Sequence, residues 1–391
     1  MLLALQAELD QRKADGLMRQ RRLLDSPQAE YIVANGQDYL SFCSNDYLGL
    51  ANHPKLIATM QAAAGDSGVG SGASNLITGH HRYHDELEKK LAKFVELPAA
   101  LVFSTGYMAN IGVLGALVGR GDAIFADKLN HACLNDGGYY SLAAFNRFAH
   151  NDVAALEKLL KASTAKHKLI AVDAVLSMDG DSAPLPAYLR LCQQYDAYLY
   201  VDDAHGFGVL GQHGKGSLSH FNLGLSKSIS PRIIYMATLG KAAGVAGAFV
   251  AGQQVVIDYL IQTAKSYVYS TPAPPALSAT LAESVNLIKA GDDLRAHLQH
   301  LIATLKLHLR LKNWQLMPSQ TAVQPLVIGS NHAAVGLSEH LQKLGILVPA
   351  IRPPTVPVNT ARLRISLSAA HTVENVIKLA GAINDAEKVM V

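Results

Sequence analysis

The sequence predicts an α/β protein whose large domain has a mostly parallel central sheet, followed by a smaller C-terminal α+β domain. Short, near-continuously apolar runs alternate with helical segments in the first part of the chain, which is typical of parallel strands covered on both faces. After Ser270–Pro275 the pattern changes to long helices and shorter strands. The 391 residues are enough for two domains.

We predict three parts along the chain. Residues 1–45 form an N-terminal helix and extended segment, residues 46–280 the large domain, and residues 281–391 the small domain. In the first part, a helix is predicted over residues 3–25. In the second, apolar residues of His81–Phe94 recur at the spacing of one helix face, which predicts an amphipathic helix.

Apolar runs mark the strands of the large sheet. The predicted strands cover residues 99–103, 123–126, 169–172, 197–201, 233–237 and 248–251. The small domain is predicted to have a helical region over residues 276–312, a final helix over 372–387, and strands over 323–328, 346–349 and 363–367. Ligands of open α/β sheets bind beyond the carboxyl ends of the strands, so the residues that follow these runs are the candidates for a functional site.

Composition argues against several classes of protein. The net charge is +3, and Lys and Arg are not gathered in one block, so neither nucleic acid nor a membrane surface is indicated as a partner. The three cysteines are widely spaced, which fits a reducing, cytoplasmic location. Leu97–Gly119 has no charged residue but contains Pro98 and polar residues, so we predict a buried strand, loop and helix there.

Lys241 is the most informative residue of the chain. It follows the apolar run Ile233–Ala237 and precedes the small-residue stretch Ala242–Gly247, with no carboxylate beside it in the sequence. A lysine at a strand end is often structural. Burial, however, lowers the pKa of an amine and makes it a nucleophile that can form a Schiff base. The choice between these roles depends on whether other strand ends supply the rest of a cofactor site.

Asp202 and His205 follow the strand predicted at residues 197–201. A carboxylate at this position can keep a pyridinium nitrogen protonated, which makes a bound pyridoxal ring an electron sink. The alternatives for an acidic residue here are a helix cap and a divalent metal site. Because the sequence does not clearly supply the missing metal ligands, we favour a cofactor contact and predict no metal.

Two further strand ends carry polar residues. Ser104–Asn110 opens a helix after the run at residues 99–103, and this turn is either a helix cap or a phosphate site at the helix N-terminus. Beside the lysine and the aspartate already named, phosphate binding is the better interpretation. His131 follows the run at residues 123–126, where it is either structural or able to stack on a flat cofactor and carry a proton.

Ser177 and Arg352 are candidates with equally clear alternatives. Ser177 follows the run at residues 169–172, and its hydroxyl either bonds a ring substituent or belongs to a turn with Asp179 and Gly180. Arg352 precedes two prolines that fix the backbone around it. A guanidinium presented rigidly suits carboxylate recognition, whereas the alternative is a surface arginine in a proline-rich loop.

Together these features resemble the α-oxoamine synthase family of pyridoxal-phosphate enzymes over almost the whole chain. The motifs that carry the resemblance are Cys43–Leu50, Phe148–Asp152, Ser177–Leu185, Val201–Gly206, Tyr269–Thr271, Pro274–Pro275, Ala350–Pro357 and Thr360–Arg364. The last two are the most specific to one branch, which condenses L-alanine with a pimeloyl thioester. The resemblance implies the aspartate-aminotransferase-like fold (fold type I), pyridoxal 5′-phosphate as the cofactor, and a homodimer with shared active sites.

The resemblance also implies a role for each matching residue. Lys241 would hold the cofactor and move the substrate α-proton, and Asp202 would pair with the pyridine nitrogen. His131 would stack on the ring, while His205 and Ser177 would bond its phenolic oxygen. The phosphate would be contacted by Gly106, Tyr107 and Thr238, and by Ser270 and Thr271 from the neighbouring subunit. Substrate contacts would come from Arg19, Asn45, His131, Arg352 and Thr355, with Arg352 taking the amino-acid carboxylate.

The implied activity is a decarboxylating condensation of L-alanine with pimeloyl-CoA or a pimeloyl-carrier protein. The alternatives are a family member that uses glycine or serine, such as a 2-amino-3-ketobutyrate ligase, a 5-aminolevulinate synthase or a serine palmitoyltransferase. An aminotransferase on the same fold and a non-catalytic partner subunit are further alternatives. Two departures from the family pattern, Phe207 and Asn75, bear on acyl specificity and leave the chemistry intact.

Overall fold

The computed structural model describes residues 1–19, 21–223 and 231–390. Their backbone contacts fall into two units. The terminal unit consists of Met1–Gly49, Ser177–Asp181 and Leu294–Val391, and the sheet unit of Leu50–Leu176 and Ser182–Asp293. This grouping joins the two ends of the chain, whereas the prediction separates residues 1–45 from residues 281–391. The predicted domain boundaries therefore stay a prediction.

The described residues form the following elements. The strands are β1 (Tyr31–Ala34), β2 (Gln37–Ser41), β3 (Ala99–Phe103), β4 (Ala123–Asp127), β5 (Ala144–Phe148), β6 (Lys168–Asp173), β7 (Ala197–Asp202), β8 (Ile233–Thr238), β9 (Ala248–Gly252), β10 (Gln315–Leu316), β11 (Val323–Gly329), β12 (Ile346–Leu347), β13 (Ala350–Ile351) and β14 (Ala361–Ser366). The α-helices are α1 (Leu2–Ala14), α2 (Pro54–Ser67), α3 (Arg82–Val95), α4 (Gly106–Leu117), α5 (Ala132–Ser141), α6 (Val153–Ala162), α7 (Leu185–Gln194), α8 (Ser217–His220), α9 (Gln254–Thr263), α10 (Lys265–Val268), α11 (Pro275–Ala290), α12 (Asp292–His308), α13 (Asn331–Lys343) and α14 (Val373–Met390). A π-helical turn covers Asn75–Gly79, and a 3-10 turn covers Gln212–Gly214.

The sheet unit is built on a seven-stranded sheet in the order β3-β9-β8-β7-β6-β4-β5. Neighbours from β8 to β5 pair in parallel, and β9 pairs antiparallel with both β8 and β3. Every residue of β4 and β9 is buried, as expected where helices cover both faces of a sheet. The predicted mostly parallel sheet is confirmed.

Strand β5 is the one strand of this sheet that the apolar pattern does not predict. It lies at the sheet edge, and among the strands of the described residues it pairs only with β4. Its residues Ala144 and Arg147 are exposed, and only Phe148 is buried. An edge strand with one solvated side needs no continuous apolar run, so its sequence, Ala-Phe-Asn-Arg-Phe, gives little signal.

Helix α3 follows the predicted amphipathic pattern. Its buried face includes Leu87, Leu91 and Phe94, which recur at helical spacing. The predicted helical region at residues 276–312 is divided into α11 and α12 at Gly291. Glycine is among the poorest helix formers, and the two aspartates that follow it favour the start of a new helix. Within the part of the chain described, no helix combines the length and apolar character of a membrane span.

The predicted helix over residues 3–25 is wrong in its extent. Helix α1 ends at Ala14, and Gly16 adopts a positive φ of 64°. The Arg352 guanidinium donates hydrogen bonds to the carbonyl oxygens of Gly16 and Met18, which holds this segment in a non-helical path. No residue of α1 is buried, so no packing favours its extension. Residue 20 lies outside the described residues.

The terminal unit contains two small sheets. One has the order β1-β2-β12, and the other has the order β10-β11-β14-β13. Strand β14 is buried throughout and pairs with both β11 and β13. It carries Arg362, which pairs with Asp179, and Arg364, which donates to the carbonyl oxygen of Ser177 at 2.5 Å. The predicted strand at residues 346–349 is confirmed only for its first two residues.

Candidate active site

A cavity of about 200 Å³ lies at the carboxyl ends of the parallel strands in the sheet unit. Its wall is formed by residues from several strand ends, as binding sites of open α/β sheets require. The lining residues are Gly106, Tyr107, Asn110, His131, Cys133, Asp173, Asp202, Ala204, His205, Met236, Thr238 and Lys241. Seven residues predicted for the cofactor site are therefore brought together: Gly106, Tyr107, His131, Asp202, His205, Thr238 and Lys241.

Lys241 lies in the turn between β8 and β9. Its Nζ atom is 2.7 Å from Nε2 of His205, on the segment that follows β7. The turn is closed by hydrogen bonds from Leu239 N–H to the Gly247 carbonyl at 2.8 Å and from Gly244 N–H to the Lys241 carbonyl at 2.8 Å. Gly244 has a φ of 71°, and a Cβ atom there would lie 2.6 Å from the Leu50 backbone. A small residue is therefore needed at Gly244, because the backbone of Leu50 passes close to it.

Asp202 is the last residue of β7, and only 3% of it is exposed. Its carboxylate accepts hydrogen bonds from Asn110 Nδ2 at 2.7 Å and from Ala204 N–H at 3.0 Å. Burial raises the pKa of Asp202, while the Asn110 hydrogen bond and the Lys241 charge act to lower it. Burial also raises the pKa of the neighbouring Asp173, and the charge of Asp202 adds to that effect.

Asp203 has a different setting from Asp202, although the two are adjacent. It accepts hydrogen bonds from Ser217 N–H at 2.6 Å, Ser217 Oγ at 2.5 Å and Tyr235 Oη at 2.8 Å. Burial raises its pKa to about 6, against the lowering effect of these donors. Asp203 does not line the cavity, so its contacts serve the packing of the segment around Ser217.

His131 is the N-cap of α5. Its backbone N–H donates to Asp173 Oδ2 at 2.6 Å, and its Nδ1 accepts the N–H of Cys133 at 3.3 Å. The ring is open to the cavity, yet partial removal from water lowers its pKa, while the Asp202 charge acts to raise it. Nδ1 also lies 2.8 Å from Cys133 Sγ.

The N-terminus of α4 supplies backbone donors to the same cavity. Thr105 caps the helix by accepting the N–H of Met108 at 3.1 Å. The first N–H groups of a helix have no acceptor within it, so those of Gly106 and Tyr107 can bind an anion. Thr238, at the end of β8, donates its hydroxyl to the Gly247 carbonyl at 3.1 Å and accepts the Gly240 N–H at 3.3 Å.

The cavity wall also includes three residues with polar side chains to which the sequence analysis gave no role. Asp173 ends β6 just as Asp202 ends β7, so the strand-end rule could have found it. Asn110 and Cys133 lie within or beside helices and carry no such signal. Asn110 is fully buried and has three hydrogen-bond partners. Besides donating to Asp202, it accepts from Tyr200 Oη at 2.7 Å and donates to Cys133 Sγ at 2.9 Å.

Ser270 and Thr271 do not line this cavity. They line a separate, smaller one in the sheet unit, together with Asn75 and Glu88. Asn75 Nδ2 donates to the Tyr267 carbonyl at 3.4 Å. The roles predicted for these residues stay predictions.

The bearing of Phe207 on acyl specificity stays a prediction. Phe207 is 1% exposed and packs edge-to-face on Phe94 and Phe249, with ring centroids 5.8 and 5.3 Å away. It is therefore a core residue of the sheet unit. The sequence places it next to His205 and Gly206, but the chain turns there, and a Cβ atom on Gly206 would lie 2.1 Å from Asp203.

The other predicted site residues belong to the terminal unit, where their roles stay predictions. Arg19 and Arg352 line one basic pocket. Thr355 N–H donates to the Arg352 carbonyl at 3.1 Å. Asn45 Oδ1 accepts a hydrogen bond from Arg364 at 3.1 Å. The carbonyl oxygen of Ser177 is an acceptor for that same arginine.

The side chains around the cavity fit pyridoxal 5′-phosphate. They combine a primary amine, a buried carboxylate, an imidazole and free N–H groups at the start of a helix. These are the donors and acceptors that a carbonyl, a pyridine nitrogen, a flat ring and a phosphate need. The sequence argument for a cofactor site at these strand ends agrees with the geometry.

This chain is similar to known pyridoxal-phosphate enzymes. Residues 37–383 match the family model described as aminotransferase class I and II. A curated 8-amino-7-oxononanoate synthase from Methylobacillus flagellatus is 58% identical over 97% of this chain and 94% of its own length. A solved serine palmitoyltransferase variant from S. paucimobilis with a bound PLP–myriocin aldimine has a TM-score of 0.90 at 27% identity, covering 99% of this chain and 97% of that one. A solved 8-amino-7-oxononanoate synthase from Francisella tularensis has a TM-score of 0.75 at 28% identity, covering 90% of this chain and 98% of that one.

The fold, the residues of the cavity and the similarity to known proteins identify the protein as a pyridoxal-phosphate-dependent enzyme of fold type I. Its cofactor is pyridoxal 5′-phosphate, as the motifs implied. The chain belongs to the aminotransferase class I and II family, and within it to the group whose curated members are 8-amino-7-oxononanoate synthases.

Proposed function

We propose that the protein is an 8-amino-7-oxononanoate synthase, which joins L-alanine to a pimeloyl thioester in biotin biosynthesis. The observation that carries the proposal is the pairing of Lys241 with His205 in a cavity that also contains the buried carboxylate of Asp202. An identity of 58% to a curated synthase supports the choice of reaction.

The chain's own residues would hold the cofactor at three points. Lys241 would bind it covalently through Nζ, Asp202 would face its ring nitrogen, and the N–H groups of Gly106 and Tyr107 would bind its phosphate. When bound, the cofactor supplies a carbonyl for the substrate amine and a protonated ring that withdraws electrons from the α-carbon. His131 would cover the ring.

The remaining cofactor contacts would come from hydroxyl and imidazole groups. Thr238 would contact the phosphate region, and His205 and Ser177 would bond the phenolic oxygen of the ring. For Thr238 and His205 the proposal is supported by their place in the wall of the cavity. For Ser177 it rests on the sequence motif alone.

Lys241 would move the protons of the reaction. Its Nζ takes the proton from the α-carbon of alanine, and the electron pair left there attacks the thioester carbonyl carbon. The carbon–sulfur bond breaks, and the carrier leaves as a thiolate, which takes a proton from the solvent. The bond from the α-carbon to its carboxylate then breaks, carbon dioxide leaves, and Lys241 returns a proton to the α-carbon. His131, which lines the cavity, would stabilise the developing oxygen charge.

Substrate contacts are proposed for residues of the terminal unit. Arg352 would bind the alanine carboxylate through its guanidinium. Arg19, Asn45 and Thr355 would contact the substrates as the motifs imply. The clustering of Arg19 with Arg352 in one basic pocket supports an anionic ligand there.

We also propose a homodimer in which Ser270 and Thr271 reach the cofactor phosphate of the neighbouring subunit. Their position in the wall of a separate cavity, outside the one that contains Lys241, supports a role for them in another subunit's site.

Thiol release by the purified protein tests the reaction. The assay pairs L-alanine, glycine or L-serine with pimeloyl-, acetyl-, succinyl- or palmitoyl-CoA, and repeats the pimeloyl arm with an acyl-carrier protein. We expect release with L-alanine and a pimeloyl thioester, together with carbon dioxide. Preference for L-serine and palmitoyl-CoA would instead favour the activity named for the solved structural neighbour.

An aminotransferase is the second candidate, because the matching family model carries that description. An aminotransferase converts its cofactor to the amine form when mixed with an amino acid alone. Absorbance of the loaded protein mixed with L-alanine and no thioester distinguishes the two. We expect no lasting loss of the cofactor's visible band.

A further inference from the structure

A chain of buried hydrogen bonds runs beneath the cofactor cavity. Tyr200 Oη donates to Asn110 Oδ1 at 2.7 Å, and Asn110 Nδ2 donates to Asp202 Oδ2 at 2.7 Å. Tyr200 and Asn110 are each 0% exposed, and Asp202 is 3% exposed. Such a network is shielded from water, so each bond is electrostatically strong and each missing partner is costly.

The network has a direction. The amide nitrogen of Asn110 has two hydrogens and no free lone pair, so it can only donate. Its two acceptors are Asp202 Oδ2 and Cys133 Sγ. The opposite end, Oδ1, can only accept, and the Tyr200 hydroxyl supplies the proton. Tyr200 therefore turns the donating end of the amide toward Asp202.

We propose that Asn110, oriented by Tyr200, is a positioning residue that keeps Asp202 as a carboxylate, able to hold the ring nitrogen of the cofactor in its protonated form. The inference rests on the proposed function only in assuming that Asp202 faces that nitrogen. It extends the site to two residues that do not follow from the strand-end pattern.

The charges around Asp202 show why such a donor is needed. Burial favours a protonated Asp202, while Lys241 and His131 oppose this. The charge of Asp202 in turn raises the pKa of the buried Asp173. The Cys133 thiol contributes no charge, because burial raises its pKa to about 12. The amide of Asn110 bonds directly to the carboxylate. A protonated Asp202 would be a weak acceptor for that amide and could not stabilise a pyridinium.

Tyr235 provides a matched control. It is also 0% exposed, it lies on the neighbouring strand β8, and its hydroxyl donates to Asp203 at 2.8 Å instead of to the Asp202 network. Tyr235→Phe removes the same atom from the same sheet as Tyr200→Phe. Tyr235→Phe should therefore lose a similar amount of folding stability while every hydrogen bond of Asn110 is kept.

The test measures the ring nitrogen directly, with no amino acid or thioester present. Protein loaded with pyridoxal phosphate that carries ¹⁵N in its ring is examined by NMR. In the unaltered protein and in Tyr235→Phe, we expect the chemical shift of a protonated pyridine. In Tyr200→Phe and Asn110→Ala, we expect a shift toward the neutral value. The dissociation constant of the cofactor should rise about tenfold in Asn110→Ala, the effect of losing one charge-assisted hydrogen bond.

An unchanged ¹⁵N shift in a folded Tyr200→Phe or Asn110→Ala protein would overturn the proposal. So would an equal change in Tyr235→Phe, because it would assign the effect to general loosening of the sheet. If Asn110→Ala does not fold, Tyr200→Phe still decides the question. The proposed reaction is judged separately: correct ¹⁵N shifts without thiol release would leave the positioning role standing and reject the synthase activity.

Discussion

Lys241 Nζ lies 2.7 Å from His205 Nε2. At this distance the amine and the imidazole are joined by a hydrogen bond, in which one nitrogen donates and the other accepts. The two residues follow neighbouring strands, β8 and β7, which pair in parallel. The pairing of those strands therefore brings the two side chains to the same edge of the sheet.

Replacing Lys241 with alanine should abolish covalent attachment of the cofactor. We expect borohydride reduction of the loaded protein to fix the cofactor to Lys241, as seen by peptide mass spectrometry, and to fix nothing in Lys241→Ala. Loss of a general base typically lowers the rate by about 10²–10⁴-fold, and thiol release should fall at least that far. Lys158→Ala, on the exposed side of α6, should match the unaltered protein. Attachment at another lysine would contradict the assignment.

The adjacent aspartates should respond differently to amidation. Asp202→Asn should leave the fold intact but lower kcat by about 10²-fold or more, because a neutral amide cannot stabilise a pyridinium. Asp203→Asn should mainly weaken folding, by about 1.5–3 kcal/mol for each hydrogen bond to a charged group, since it accepts from Ser217 and Tyr235. Urea unfolding and kcat measured on both variants check this. Equal kinetic defects would count against the separation.

Phe207→Ala should cost stability and leave substrate choice unchanged. The side chain is buried between Phe94 and Phe249, so its removal creates a cavity that costs about 3–5 kcal/mol. The free energy of unfolding measures the loss. The ratio of kcat/KM for pimeloyl-CoA and a shorter acyl-CoA measures selectivity, and a large change in that ratio would contradict a purely structural role for Phe207.

Glu88 should make the sheet unit less stable as the pH rises. Burial raises the pKa of Glu88 to about 8, against the lowering effect of the Val102 N–H, which it accepts at 2.9 Å. The unfolded chain releases this proton near pH 4.5, so between pH 4.5 and 8 the folded state binds more protons. Stability present below pH 4.5 is therefore lost as the pH rises through 8.

Glu88→Gln should flatten this dependence, because the amide oxygen can still accept the Val102 N–H. The measurement is the urea midpoint at intervals from pH 5 to pH 8.5. Glu86→Gln, on the exposed face of α3, removes a carboxylate from the same helix and should keep the original slope. A slope that is unchanged in Glu88→Gln would show that another group dominates the titration.

Two inactive variants should restore activity when mixed, if the active sites are shared between subunits. Lys241→Ala lacks the amine, and the double variant Ser270→Ala/Thr271→Ala lacks the contacts proposed for the neighbouring site. After random exchange of subunits in a two-fold dimer, each mixed dimer has one native site. About a quarter of all sites in the mixture are then native. Thiol release measured before and after subunit exchange checks this, and absence of recovery would place Ser270 and Thr271 outside the shared site.

The parts of the site that the sequence predicted are those that follow buried strands. Asp202, His131 and Lys241 each come after a continuous apolar run, and parallel pairing brings such ends to one edge of the sheet. Asn110 could not be found in this way, because a polar residue inside an apolar helix gives no sign of which strand it will meet. Its partner Tyr200 is within a strand and looks like any aromatic core residue.

The error in the extent of α1 has a physical origin. The predicted extent of α1 depended on helix propensity alone. The segment after α1 is held in a non-helical conformation by hydrogen bonds from Arg352, which is more than three hundred positions away in the sequence. Long-range contacts of this kind are invisible to local patterns.

Strand β3 has one neighbour in its sheet, β9, and the pair joins Ala99 to Gly252 in register. During synthesis on the ribosome, β3 emerges long before the strand that it needs. Its apolar residues must stay covered by nearby helices until then, because an unpaired apolar edge promotes aggregation. The turn proposed to bind the cofactor phosphate follows β3 and leads into α4 at Gly106. We therefore expect this turn to reach its final place only after β9, which ends at Gly252, has emerged and paired with β3.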